Sequence, residues 1–119
     1  RLGIGREDVI IDCLAMTVGV DQNAPSVTLE TIRRVVAELG VNITLGVSNV
    51  SFGLPRRPVA TAPFLALTMG VGLTCAIIDP TIQLIRETVL GTDLILGHDP
   101  YAMAYISYIR QQQKKAAAG

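Results

Sequence analysis

At 119 residues, with ten basic side chains balancing ten acidic ones, the chain amounts to one ordinary domain or less, with room for a modest core. It carries no net field that could gather nucleic acid or an anionic membrane surface, which excludes both as partners. Hydrophobic content of 50% with only 4% aromatic residues is dominated by Val, Ile, Leu and Ala, the usage of a parallel sheet flanked by helices.

Cys13 and Cys75 stand in neither a CxxC nor any metal-ligand spacing, and the single His98 could not complete a zinc shell. No metal site is expected. Two free thiols in a reducing, cytoplasmic setting is the simple reading. The chain opens at Arg1 without a methionine, as a trimmed, processed or partial chain would.

In chain order, Arg1 to Arg6 read as the end of something earlier, punctuated by Gly3 and Gly5. Val9-Ile10-Ile11-Asp12 is a continuous apolar strand with a carboxylate at its carboxyl end. Such an acid is either a ligand-binding group or a cap on the following loop. Cys13 to Asn23 is a loop, long for a connection and so a candidate to line a site. Pro25 and Ser26 open a helix with Val27, Ile32, Val35, Val36 and Leu39 as its apolar stripe, ended by Gly40.

Ile43 to Val47 is a second strand, and its end is unusual. Gly46-Val47-Ser48-Asn49-Val50-Ser51-Phe52 crowds three hydrogen-bonding side chains after an apolar run, and a loop through Gly53 and Pro55 closes on Arg56 and Arg57. A helix follows from about residue 59 to 69, with Pro63 in its first turn. Residues 58–78 carry no charge and roughly match a membrane span in length. Gly70, Gly72 and three threonines interrupt them, so the reading is helix, glycine turn and a third strand, Thr74 to Ile78, ending on Asp79.

A helix from about residue 81 to 96 turns Ile82, Leu84, Ile85, Val89, Leu90 and Leu94 inward. Gly97-His98-Asp99-Pro100 is a turn, with His98 solvated or capping. The last helix, Tyr101 to about Gln113, aligns Tyr101, Tyr105 and Tyr108 to pack on the helix before it. Ordered βα units therefore cover residues 7–113, and 114–119 are expected to be a flexible tail. Strands alternating with helices make this an α/β chain with a parallel sheet. Asp12, Asn49 and Asp79 should then gather at the carboxyl edge of that sheet, where ligands bind in such folds.

Gly46 to Phe52 with Arg57-Pro58 after the loop resembles the seventh strand and loop of the pterin-binding methyltransferase barrels. These are the methyltetrahydrofolate:corrinoid methyltransferases and the folate domain of cobalamin-dependent methionine synthase. Val9 to Asp12 looks like that family's sixth strand and Ala76 to Pro80 like its eighth, so the resemblance runs from about Glu7 to Arg110. It implies three βα units, strands six to eight, of a pterin-binding TIM (β/α)8 barrel. A full barrel needs about 250 residues, so the chain is incomplete as given.

The resemblance also implies roles. Asp12 would hold the amino-pyrimidine edge of the pterin, Asn49 would sit near N5 as the catalytic group, and Ser51 would support Asn49. Arg57 and Ile77 would pack on the pterin ring, with Asp79 a possible group on the rim. Methyltetrahydrofolate or tetrahydrofolate would be the substrate. The cobalt would belong to a cobalamin (corrinoid) on a partner protein. A homo-oligomer or a second chain would complete the barrel. Phe52 stands where some members carry Gln, and Thr61-Ala62-Pro63 replace a more polar helix start.

Two other readings stay open. A dihydropteroate synthase-like enzyme should show Ser-Arg-Lys where this chain has Ser48-Asn49-Val50. A truncated remnant or pterin-binding fragment would keep the strand ends without catalysis.

Overall fold

The computed structural model describes residues 2–119. Arg1, at which the chain opens, lies outside them. Three parallel strands, β1 (Ile10–Asp12), β2 (Asn42–Gly46) and β3 (Cys75–Ile77), pair in the order β1-β2-β3. Helix α1 (Ala24–Glu38) joins the first two and α2 (Arg57–Val71) the last two; α3 (Gln83–Ile95) and α4 (Met103–Ala118) follow.

Register explains which side chains are buried. Ile11 pairs with Ile43 and Leu45 with Ala76, so these share one face. That face meets Ile32 of α1, Phe64 and Leu65 of α2 and Ile85 of α3, and Ile43 and Leu45 are fully buried there. Ile10, Asp12, Thr44, Cys75 and Ile77 share the other face by the same register. Ile10 and Ile77 lie about 60% exposed on it. With helices on one face only and strands in sequential order, the sheet is consistent with a segment of a singly wound α/β wall rather than a doubly wound sheet.

Several boundaries differ from those expected. β3 is shorter because Thr74 bonds through its side chain: its Oγ1 accepts from the Ile43 N–H at 2.9 Å and donates to the Ile43 carbonyl at 3.1 Å. β2 stops at Gly46, and Val47–Ser51 form a 3-10 turn instead of open loop. α2 starts at Arg57, so Pro58 takes the early position and Pro63 falls inside the helix. Pro63 is on the exposed side, where water can satisfy the carbonyl it leaves without a donor. Gly72, at φ +120°, makes the turn out of α2, while Gly70 stays helical.

Burial corrects three apolar stripes. In α1 Val27 is exposed and Thr28 is buried in its place, its hydroxyl donating to the Leu14 carbonyl at 3.0 Å. In α3 Leu84 is exposed. Tyr101 does not join the tyrosine row: it sits in a 3-10 turn at φ +58°, almost wholly in solvent. Tyr108 does pack on α3, donating to Glu87 at 3.1 Å with the Arg86 guanidinium 5.5 Å from its ring centre. The tail expected to be flexible continues α4 as helix to Ala118, since Gln, Lys and Ala are all strong helix formers. Among the described residues no helix is long and apolar enough to cross a membrane. His98 is solvent-facing, its backbone N–H capping α3 on the Asp93 carbonyl at 2.8 Å.

Leu45→Ala empties the centre of the packed face and should lower unfolding free energy by about 2–5 kcal/mol. Ile10→Thr, on the bare face, should change it by less than about 0.5 kcal/mol. Urea denaturation of the two variants measures both.

Candidate functional site

Because the strands are parallel, Asp12, Gly46 and Ile77 end at the same edge of the sheet. The three strand ends lead into differently built segments. Asp12 Oδ1 accepts the Leu14 N–H at 2.9 Å, which helps hold Leu14 at φ +60° and leaves Oδ2 free. Asp79 Oδ1 accepts both the hydroxyl of Thr81 at 2.6 Å and its N–H at 2.9 Å. These bonds favour the charged carboxylate and hold its pKa below the ordinary value, the hydroxyl contributing most.

The turn after β2 is the most heavily bonded of the three. Ser51, fully buried, donates through Oγ to the Ser48 carbonyl at 3.0 Å and lies 2.8 Å from Thr61 Oγ1. Arg57 reaches back from the start of α2. Its Nε donates to Ser51 Oγ at 3.1 Å and one terminal nitrogen donates to the Ser48 carbonyl at 2.7 Å. The guanidinium stands 5.7 Å from the centre of the exposed Phe52 ring, a cation–π contact worth about 0.5–1 kcal/mol. Ser51 thus bonds Arg57 directly, and its hold on Asn49 runs through the turn Val47–Ser51 that carries both.

Asn49 itself is exposed on the turn and folds back over the strand end. A Cβ at Gly46 would lie 3.0 Å from its Nδ2, closer than ordinary contact. Gly46 has φ −77°, which any residue can adopt, so what a side chain there would disturb is the placement of the Asn49 amide.

A cavity of about 550 Å³ opens between this turn, α2, β3 and α3. Arg57, Ile77 and Asp79 line it, together with Ser48, Thr61 and Ile82. The structure therefore brings Arg57, Ile77 and Asp79 together around one hollow, with Ser51 directly behind Arg57. Asp12 and Asn49 are on the same sheet edge, outside the walls of that hollow. The loop 13–23 is tied to the turn as well: the Val18 N–H donates to the Val50 carbonyl at 2.9 Å and the Thr17 hydroxyl to the Phe52 carbonyl at 2.7 Å.

Sequence reasoning assigns no site role to Ser48 or Thr61. Thr61 lies four residues after Arg57 in one helix, a spacing that puts both on one face and could have flagged it. Cys13 is buried and its thiol pKa is raised, by desolvation first and by the neighbouring Asp12 charge second; it stays a protonated, inert thiol at neutral pH. Among the described residues no cluster of His, Cys, Asp and Glu could hold a metal ion.

Over 83 residues the chain is 37% identical to a methylcorrinoid:tetrahydrofolate methyltransferase of Eubacterium limosum. That stretch is 70% of this chain and only 30% of the relative's length. The similarity supports the methyltransferase family to which the motif pointed, and a partial domain. No protein-family model matches the chain.

Gly46→Ala should push Asn49 off the strand end, seen as a shift of the Asn49 side-chain amide signals by NMR, while stability changes by less than about 1 kcal/mol. Removing the largest cause of the Asp79 shift, Thr81→Ala should raise the Asp79 titration midpoint toward the ordinary carboxylate range. The depressed pKa stabilises the fold above that range, and this contribution is lost as pH falls through the Asp79 midpoint; an NMR titration of the carboxyl carbon follows the midpoint, and urea denaturation at a series of pH values follows the stability.

Proposed function

We propose that the chain contributes the sixth to eighth βα units of a pterin-binding (β/α)8 barrel, which transfers a methyl group between tetrahydrofolate N5 and the cobalt of a corrinoid protein. The observation that carries this reading is the turn Val47–Ser51. It sets Asn49 at the carboxyl edge of a parallel sheet, beside a cavity walled by Arg57 and Ile77. The similarity to an enzyme whose name pairs a methylcorrinoid with tetrahydrofolate supports it. At about 550 Å³ the cavity is in the size range of small-molecule sites.

The roles follow from the chemistry of each group. Ile77 offers an apolar wall and Arg57 a guanidinium whose plane is fixed on two acceptors, a surface on which a flat heteroaromatic ring can stack. Asp12 keeps one carboxylate oxygen free for the amino-pyrimidine edge, and Asp79 keeps one on the rim. Asn49 can donate through Nδ2 and accept through Oδ1, so it can stay bonded to N5 whether or not that nitrogen carries a proton. When N5 takes the methyl through its lone pair, the old bonding pair would stay with the corrinoid and N5 would give up its proton to water. Asn49 Oδ1 balances the positive charge that builds on N5 in between. The corrinoid, held on its own protein, supplies the cobalt that exchanges the methyl group. The relative's name places the methyl on the corrinoid at the start, and we extend that direction to this chain.

The bare sheet face, with Ile10 and Ile77 exposed and, among the described residues, no strand paired to the outer edges of β1 and β3, supports completion by further βα units, from a second chain or a larger assembly. A dihydropteroate synthase-like activity fits less well. Two donor directions of Arg57 are already spent within the protein, and Asn49-Val50 supply no cationic grip for a pyrophosphate. A cytoplasmic location follows from the same reading.

Titrating tetrahydrofolate into the chain by calorimetry should give saturable binding, weakened roughly tenfold by Arg57→Ala. With methylcobalamin as donor, Asn49→Ala should slow methyl transfer by about a hundredfold or more, followed by the corrinoid absorbance. No tetrahydrofolate binding and no change in the corrinoid spectrum, with the remaining βα units of the barrel supplied as a second chain, would instead identify a non-catalytic remnant.

A further inference from the structure

Thr61 has the look of an ordinary helical threonine, its hydroxyl 3.0 Å from the carbonyl one turn back at Arg57. Its other neighbour sets it apart. The same oxygen lies 2.8 Å from Ser51 Oγ, on a different element, and both side chains are buried. Ser51 in turn receives Arg57 Nε at 3.1 Å. The two hydroxyls thus form the inner end of a chain whose outer end is a guanidinium on the cavity wall.

Counting hydrogens shows how little freedom the chain has. Each hydroxyl has one hydrogen, and three acceptors lie in reach: the Ser48 carbonyl, the Arg57 carbonyl and the partner hydroxyl. Arg57 Nε can only donate, so Ser51 Oγ must face it with a lone pair. Ser51 then points its hydrogen to Ser48 or to Thr61. In both arrangements Thr61 occupies the remaining side of Ser51, and no buried side-chain polar atom among the described residues is left without a partner.

We propose that Thr61 is a positioning residue for Arg57, acting through Ser51: its buried hydroxyl fixes which way the Ser51 lone pair points and so sets the orientation of the guanidinium over the cavity. The consequence for ligand affinity rests on the pterin reading above; the positioning itself rests on geometry alone.

The test uses the full chain with Thr61→Val, which keeps the shape and removes the hydroxyl, and Thr61→Ser, which restores it. The Arg57 Nε–H, followed by NMR hydrogen exchange without ligand, should exchange roughly three- to tenfold faster in Thr61→Val and at the native rate in Thr61→Ser. Tetrahydrofolate affinity should fall and recover by a similar factor. Adding Thr61→Val to Ser51→Ala should speed exchange no further, because Thr61 acts only through Ser51. A lowered melting temperature with Arg57 exchange unchanged would make Thr61 merely structural and overturn the proposal. Were Thr61→Val unable to fold, native Arg57 exchange in Ser51→Ala would overturn it equally. Faster exchange in Thr61→Val with no tetrahydrofolate binding by the native chain, even when the remaining βα units are supplied, would sink the pterin reading alone.

Discussion

Everything in this molecule depends on the burial of the central strand. Ile43, Leu45 and, just past the ladder, Val47 are completely removed from solvent, each worth about 1.5–3 kcal/mol in transfer energy. Their alternation fixes which face of β2 meets the helices, and a slip of one residue would turn all three outward. The parallel partners Ile11 and Ala76 take their register from this strand. So does the turn that begins at Val47, since its first residue is anchored in the core and the polar residues after it have only the sheet edge to occupy.

That turn is held by polar bonds rather than by packing. Arg57 closes it from the far side of a loop, and Ser51 and Thr61 fill the space behind with hydroxyls that satisfy one another. Buried networks of this kind rigidify when every member is bonded. Rigidity here is local: the same loop leaves Phe52 and Asn49 exposed, so a stiff base presents two side chains outward. A methyl-transfer site of the proposed kind needs that combination, with groups held in place before the reacting atoms arrive.

The one-sided covering of the sheet shapes the functional reading as strongly as the turn does. Helices pack on one face, and the other offers Ile10 and Ile77 to solvent. The length of the similarity, under a third of the relative, agrees with a piece of a larger architecture. Arg57, Ile77 and Asp79 share a cavity within this piece, whereas Asp12 lies two strands from Ile77 on the same edge. A ligand touching all of them would span the sheet's rim.

The chain by itself determined the order of elements, the parallel sheet and the gathering of Asp12, Asn49 and Asp79 at one edge. These follow from apolar runs ending in polar residues and from helices between them, which are local facts. The glycine at Gly72 and the cap at Gly40 were legible for the same reason. Only the tertiary structure decided what Ser51 holds, that Thr61 stands behind it, and that Thr28 rather than Val27 faces the core. It also decided that Thr74 replaces a ladder bond with its side chain. Each of these is a hydrogen bond or a burial between residues on different elements or turns, and a side chain's direction in space is set by what packs around it, not by its neighbours in the chain.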